Sequence, residues 1–250
     1  MKKIAIILAA GLGSRLLPLT KEEHKCMTQV CGVPIIQNTL KNLEDNDFSK
    51  VIIVVGYLGD KLMDEIRNMK LKIKIEFVLN PCYAQSNTTY SLKYGLDYIN
   101  EVYDFLCIIE GDVIFEKKII ERLFKSEHEN VSVLEPYNVY LDGTFVEIGD
   151  NNNIVDWRHK SDQEDNYTQE GKYKTVNIHK FSYEFVQTYL INSIEDNIKQ
   201  NGFKQPIEKV MKQLVNNYPD LIFGEVLNGE KWYEIDDLND LANAEKIWEE

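Results

Sequence analysis

The chain has 250 residues, of which 44% are hydrophobic, 11% aromatic and 28% charged. Such a length suits one large domain or two small ones and buries roughly 70–75% of the unfolded surface, and such a composition excludes a disordered, collagen-like or linker-like chain. With 28 Lys plus Arg against 41 Asp plus Glu, the net charge is −13. That argues against non-specific binding to nucleic acid, which runs on counterions released by cationic side chains. A phosphorylated ligand would need a local basic pocket.

Lys2 and Lys3, the apolar residues 4–10 and then Gly11-Leu12-Gly13-Ser14 imitate a short secretory signal. The apolar run is at the lower limit for one, and cutting there would remove the best strand of the chain. No run approaches the ~20 apolar residues of a membrane span. Cys26, Cys31, Cys82 and Cys107 form no Cys-x-x-Cys pair and no zinc spacing. Free thiols, a reducing compartment and a cytoplasmic location are expected.

Residues 3–9 read as a strand covered on both faces. A helix is predicted over 34–44, with Ile36, Leu40 and Leu43 on one face. A strand over 51–55, a helix over 60–69 and an alternating strand over 73–79 follow. Asn87 or Thr88 can cap a helix carrying Leu92, Leu96 and Ile99. Another buried strand covers 105–109, with Cys107 inside it, and Ile119, Ile120, Leu123 and Phe124 mark a helix. This alternation predicts right-handed βαβ units around a mostly parallel sheet. Residues 131–181 hold short β-like runs, split by a polar stretch at 150–153 and a charged, mobile loop at 159–172. Helices are expected near 183–199 and 207–217. A last strand over 232–235 leads into a helix with Leu241, Ala244 and Trp248. No linker divides the chain, so one α/β domain with an added β-rich lobe is expected.

The most informative segment is Leu8-Ala-Ala-Gly-Leu-Gly-Ser-Arg-Leu-Leu-Pro-Leu-Thr20, followed by Lys25. A buried strand ends in Ala9, Ala10, Gly11 and Gly13, whose missing or minimal side chains let backbone N–H groups approach a phosphate. Arg15 can bind phosphate oxygens with its fork, and Lys25 adds a second positive charge. The segment is not a Walker loop, since Gly-Lys-Ser/Thr is missing, and it lacks the third glycine of the Rossmann fingerprint. Asp112 follows the strand at 105–109, and so lies at the carboxyl edge where open α/β sheets bind ligands. Asp236 follows another short strand. Two converging carboxylates suit Mg²⁺; a turn aspartate for Asp112 and a helix cap for Asp236 are the plain alternatives, and Asp237 is either the true cap or a second residue on the metal. His24, His128, His159 and His179 show no metal spacing and receive no role.

With its flanks, the opening segment resembles that of the nucleotidylyltransferase superfamily, enzymes that join a nucleoside triphosphate to a phosphorylated small molecule. Glu110-Gly-Asp112 resembles the segment with the family's metal-binding aspartate, and Trp232-Tyr-Glu-Ile-Asp-Asp237 its C-terminal metal motif. The stretch from Asn80 to Leu92 is similar to the base-recognition loop of the branch that uses CTP. Asp142-Gly-Thr144 and Tyr173-Lys-Thr-Val-Asn-Ile178 resemble cytidylyltransferases acting on 2-aminoethylphosphonate, relatives of bacterial choline-phosphate cytidylyltransferases. The resemblance covers nearly the whole chain. It implies a Rossmann-like mixed, mostly parallel sheet flanked by helices, of nucleotide-diphospho-sugar transferase type, with a small β-rich acceptor-binding lobe around 131–181.

It implies transfer of CMP from CTP to a small amine-bearing phosphonate or phosphate, 2-aminoethylphosphonate first and phosphocholine next, with release of pyrophosphate. Arg15 and Lys25 would be catalytic. Leu8, Ala9, Ala10, Gly11, Gly13, Ser14, Asn87, Thr88, Tyr90 and Ser91 would bind the nucleotide. Asp112 and Asp236 would hold Mg²⁺, and Lys160, Lys174, Asp142, Trp232 and Glu234 would meet the acceptor. Tyr137 and Trp157 are further candidates for its amine end, and Lys174, in a β-like run, is a better phosphoryl partner than Lys160. The expected partners are CTP and the acceptor, with neither nucleic acid nor membrane; a homo-oligomer and a longer multidomain enzyme both stay open. The rival readings are a sugar-1-phosphate nucleotidylyltransferase, a glycosyltransferase, disfavoured because no Asp-x-Asp ends the strand, and a non-catalytic nucleotide sensor.

Overall fold

The structure is a computed structural model and describes residues 1–249. Strand β1 (Lys3–Ala9) lies at the centre of a nine-stranded sheet. It pairs in parallel with β4 (Lys50–Val55) and β6 (Phe105–Glu110), and β4 pairs in parallel with β5 (Lys74–Leu79). The hairpin β2 (Gln29–Val30) and β3 (Val33–Pro34) stands apart. The crossovers carry α1 (Ile35–Glu44), α2 (Gly59–Asn68) and α3 (Thr88–Tyr98). The mixed α/β class and its mostly parallel centre are as expected.

The alternation of β1 assigns its two faces. Ala5, Ile7 and Ala9 join one cluster with α1, α2 and α4 (Lys117–Lys125). Ile4, Ile6 and Leu8 join a second with α3, α6 (Ile191–Asn201) and α7 (Ile207–Asn217). Both faces are covered, which is why the strand reads as an unbroken apolar run.

Beyond β6 the sheet turns antiparallel. Strand β11 (Tyr173–Ser182) pairs with β6 through residues 178–182 and with β8 (Val131–Pro136). Tyr173 and Lys174 also pair with β9 (Phe145–Ile148), whose partner is β10 (Ile154–Arg158). A parallel strand, β12 (Phe223–Val226), pairs with β8. The short turn α5 (Tyr183–Phe185) runs through a π turn into α6, so the expected helix over 183–199 is interrupted in its middle.

Two sequence expectations change here. Trp157 does not face a ligand, because it is buried in the second cluster, 5.9 Å from the His179 ring. The charged stretch at 159–172 is anchored at its start: the His159 side chain caps a turn at Ser161, and Asp162 binds Lys209 and Lys212 of α7. All four cysteines are free, with Cys26 and Cys107 buried. Among the described residues no helix is long and apolar enough to cross a membrane.

Strand β7 (Val113–Phe115) pairs antiparallel with β13 (Trp232–Glu234), which leads into α8 (Leu238–Glu249). The register sets Glu234 opposite Val113, and the Ile235 N–H donates to the Asp112 carbonyl at 2.9 Å. A third cluster, with Leu16, Ile35, Ile114, Ile235 and Ala244, pins the loop after β1 to this hairpin. Full burial of a side chain such as Leu16 contributes about 1.5–3 kcal/mol.

Candidate active site

The site forms where β1, β6 and β13 end and β11 begins. Ala10 and Gly11 carry the chain over the edge of the sheet, and Gly13 turns it with φ +60°. A Cβ on Gly13 would stand 3.0 Å from both Lys25 Cβ and Thr20 Cγ2, so this position requires glycine. The Thr20 hydroxyl donates to the Gly13 carbonyl at 2.8 Å. A cavity of about 150 Å³ is bounded by residues 8–11 and Gly13, by His24 and Lys25, and by Asn87, Thr88 and Ser91. It shares Gly11, Lys25, Asn87, Thr88, Glu110 and Asp112 with a larger cavity of about 900 Å³.

Lys25 stands between the two motifs that the sequence placed 87 and 211 residues away. Its ammonium donates to Asp112 Oδ2 at 2.7 Å and to Asp236 Oδ1 at 2.9 Å. Arg15 Nη2 reaches the same Asp236 oxygen at 2.7 Å. Burial opposes the Lys25 charge, but Asp112 and Asp236 outweigh it and hold its pKa above the ordinary lysine value. Burial likewise raises Asp236, yet Lys25 and Arg15 overcome it and keep that carboxyl below its usual range. Asp237 is the helix cap: its Oδ1 accepts the N–H groups of Asn239 and Asp240. Asp236 is thereby left to the cations.

Asp112 Oδ1 is buried and has no hydrogen-bond partner. Carboxylate oxygens of Glu110, Asp112 and Glu234 all lie within 4.8 Å of one another. An orphaned anionic oxygen beside two more carboxylates is a donor set that a hard divalent cation fits. Asn177 holds two of the three, its amide donating to Glu110 Oε2 and Glu234 Oε1 at 3.2 Å each. It does so from a left-handed backbone, φ +61°, at the register shift of β11. Thr175 Oγ1 donates to Asn177 Oδ1 at 2.9 Å and so fixes which end of the amide faces the acids. Burial raises the pKa of Glu110, Glu208 and Glu234; Glu208, Asp112 and Glu234 reinforce the shift of Glu110.

Sequence reasoning gave His24 no role, but the structure gives it a positioning one. The ring is 2% exposed, its Nε2 lies 3.0 Å from the Ala9 carbonyl oxygen, and its Nδ1 accepts the Cys26 N–H at 3.1 Å. An accepting Nδ1 requires the hydrogen on Nε2, so the ring is neutral and donates to Ala9. Burial lowers its pKa to about 4. His24 thus ties the end of β1 to the turn that carries Lys25. The only sequence signal was its place beside Lys25.

Asn87 caps α3 by accepting the Thr88 N–H at 2.8 Å, and the Thr88 hydroxyl accepts the Ile207 N–H at 2.8 Å. The Ser91 hydroxyl accepts from buried Asn80, which also binds Ser86 and the Cys82 N–H and so shapes the loop. Tyr90 and Ser14 lie outside both cavities; the Tyr90 ring packs on Tyr94 and Phe203, at 5.2 and 4.7 Å between centroids. Lys160 and Asp142, both exposed, form an ion pair at the cavity rim. Lys174 is buried, donating to the Thr175 carbonyl at 2.7 Å and to Glu234 Oε2 at 3.0 Å. Trp232 lines the cavity and donates its indole N–H to Glu135 at 3.1 Å. Tyr137 packs on Phe145.

The family model for nucleotidyl transferases matches residues 4–250. The chain belongs to the nucleotidyl transferase family. A CMP-5'-(3-aminopropyl)phosphonate synthase of Streptomyces rubellomurinus is 28% identical over 193 residues, 77% of this chain and 30% of that protein. This member thus spans less than a third of that relative's length. A choline-phosphate cytidylyltransferase of Streptococcus pneumoniae is 28% identical over 253 residues, 97% of each chain. The solved CTP:phosphocholine cytidylyltransferase from Streptococcus pneumoniae superposes with a TM-score of 0.75 at 22% identity, over 99% of this chain and 100% of that one. At that identity the superposition carries the fold of this family member.

Proposed function

We propose that this family member is a cytidylyltransferase that joins CMP from CTP to a small amine-bearing phosphonate or phosphate. The convergence of Arg15 and Lys25 on Asp112 and Asp236, at the end of a Gly-x-Gly loop, carries this reading. The names of two relatives, a CMP-aminopropylphosphonate synthase and a choline-phosphate cytidylyltransferase, support both the nucleotide and the acceptor class.

In the proposed reaction an acceptor oxygen attacks the α-phosphorus of CTP. One P–O bond forms there, and the bond to the β-phosphate oxygen breaks, releasing pyrophosphate with its electron pair. The attacking oxygen is already ionised at neutral pH, so no general base is needed. The backbone N–H groups of residues 9–13 and the charges of Arg15 and Lys25 orient the triphosphate and meet its growing charge, which is catalysis by positioning and electrostatics. Asn87, Thr88 and Ser91 border the pocket proposed for the base. The residues at hand for Mg²⁺ are Asp112, with Glu110, Glu234 and Asp236 beside it. Such an ion, when bound, supplies Lewis-acid polarisation of phosphoryl oxygens. His24 keeps Lys25 on the phosphate side of the loop.

Pyrophosphate release with CTP and Mg²⁺ against 2-aminoethylphosphonate, phosphocholine, phosphoethanolamine and glucose-1-phosphate tests the reading. Turnover with an amine acceptor is expected. Turnover with glucose-1-phosphate alone would install the sugar-1-phosphate reading, and tight CTP binding without any turnover the sensor reading.

A further inference from the structure

The carboxylates around the large cavity are unequally matched. Asp236 has Arg15 and Lys25, Asp112 has Lys25, and Glu234 has Lys174. Asp142 has Lys160, and Glu230 has Arg122. Glu110 accepts from the Asn177 amide and belongs to the metal-capable group of three. Glu208 lies outside that group. Among the described residues no cation pairs with it, and its one side-chain donor is the Thr144 hydroxyl at 3.5 Å, the outer limit of a hydrogen bond. A carboxylate at the first turn of α7 is favoured by the helix dipole. That placement does not explain why it faces a cavity beside Glu110 with so little to bind.

We propose that Glu208, with the Thr144 hydroxyl beside it, seats a primary ammonium on the acceptor and selects it over a quaternary one. The proposal rests on the transfer reading above and names the acceptor's cationic end. A primary ammonium carries three N–H donors and a charge; Glu208 has one long hydroxyl contact, and the nearby Lys174 ammonium donates to the Thr175 carbonyl and Glu234 instead. A quaternary ammonium has no N–H; it would leave the glutamate unpaired, and its own preference is for aromatic faces. The aromatic side chains of the cavity are Tyr140, Trp232 and Tyr233. Tyr140 is 88% exposed, and the Trp232 ring already lies 5.8 Å from the Lys174 ammonium. The cavity residues tied to Glu208 are Thr144 and Lys174, neither of them aromatic.

The test compares 2-aminoethylphosphonate with its N,N,N-trimethyl analogue, two acceptors that differ only at nitrogen. The wild-type protein should favour the primary amine in kcat/KM by tenfold or more, and Glu208→Gln should lower kcat/KM for that amine by about ten- to a hundredfold. The preference should then approach one, with the loss in acceptor KM while the CTP KM holds. Glu208→Asp should restore part of it. A wild-type preference for the trimethyl compound, or an undiminished preference in Glu208→Gln, overturns the seat and leaves the transfer reading intact. Should Glu208→Gln fail to fold, the wild-type preference and Glu208→Asp decide. Absence of pyrophosphate release with either acceptor overturns the transfer reading instead. Calorimetric binding of the same two compounds then judges the seat, and equal affinities overturn it.

Discussion

Lys25→Met separates what Lys25 does for folding from what it does for turnover. The substitution keeps the length of the side chain and removes the charge that bridges Asp112 and Asp236. The side chains of Lys25, Asp112 and Asp236 are 13%, 20% and 25% exposed. Breaking a fully buried pair costs about 3–5 kcal/mol, and partial solvent access lowers that to about 1–3 kcal/mol here. In a chain of this size that is a fall in Tm of roughly 2–12 °C. Turnover should drop by about 10²–10³, the typical cost of one preorganised charge. Adding Asp112→Asn removes the carboxylate that Lys25→Met strands, since Asp236 keeps Arg15, so the double variant should regain stability without regaining turnover. Thermal unfolding and pyrophosphate release on the same samples read the two effects. A Lys25→Met protein with wild-type turnover, or a double variant restored in both, would refute the reasoning.

A methyl group at Gly111 would lie 2.7 Å from Cys26 Sγ and 2.8 Å from the Leu8 carbonyl oxygen. Gly111→Ala should therefore cost about 1–3 kcal/mol and, by moving Asp112, lower turnover by about tenfold to a hundredfold. Gly11→Ala meets nothing within 4 Å and should keep its Tm; equal losses at both positions would contradict the packing argument. Acid should weaken the fold through His24 and His179, whose burial lowers their pKa values to about 4 and about 3. Below pH ~6.5 the unfolded chain gains protons that the folded chain refuses, so stability falls as pH drops, by about 2 kcal/mol per histidine at pH 5. The buried glutamates, with raised values, act in the opposite direction. Denaturant titration should show a flatter decline from pH 7 to 5 for His24→Gln than for wild type, and equal slopes would exclude His24 as a source. Chelation of divalent cations should stop pyrophosphate release and Mg²⁺ should restore it, with Asp112→Asn needing about tenfold more Mg²⁺ for half-maximal rate. Full turnover in chelator would remove the metal from the account.

The first half of the fold was legible because its strands are buried on both faces and its helices carry clean apolar stripes, as β1, β4 and α1 show. The glycine turn after β1 was legible for a different reason: only small residues serve where Gly13 turns against Lys25 and Thr20. The site's acidic side was less so. Glu234 reaches Asp112 through the β7–β13 register, and Asn177 reaches Glu110 through a bulge in β11; neither pairing leaves a local pattern. Glu208 reads as an ordinary first-turn acid until α7 is packed beside Thr144. Asp236 and Asp237 could not be told apart as cap and site residue until the hydrogen bonds to Asn239 and Asp240 assigned the cap. Trp157 misled because a large aromatic in a β-like run serves a core as well as a pocket.

The most direct test of the central claim is phosphorus NMR of the protein incubated with CTP, Mg²⁺ and 2-aminoethylphosphonate. The account predicts inorganic pyrophosphate together with a coupled pair of signals, one phosphonate and one phosphate, joined by a new P–O–P bridge. Unchanged CTP and acceptor, or CDP with free phosphate, would contradict it.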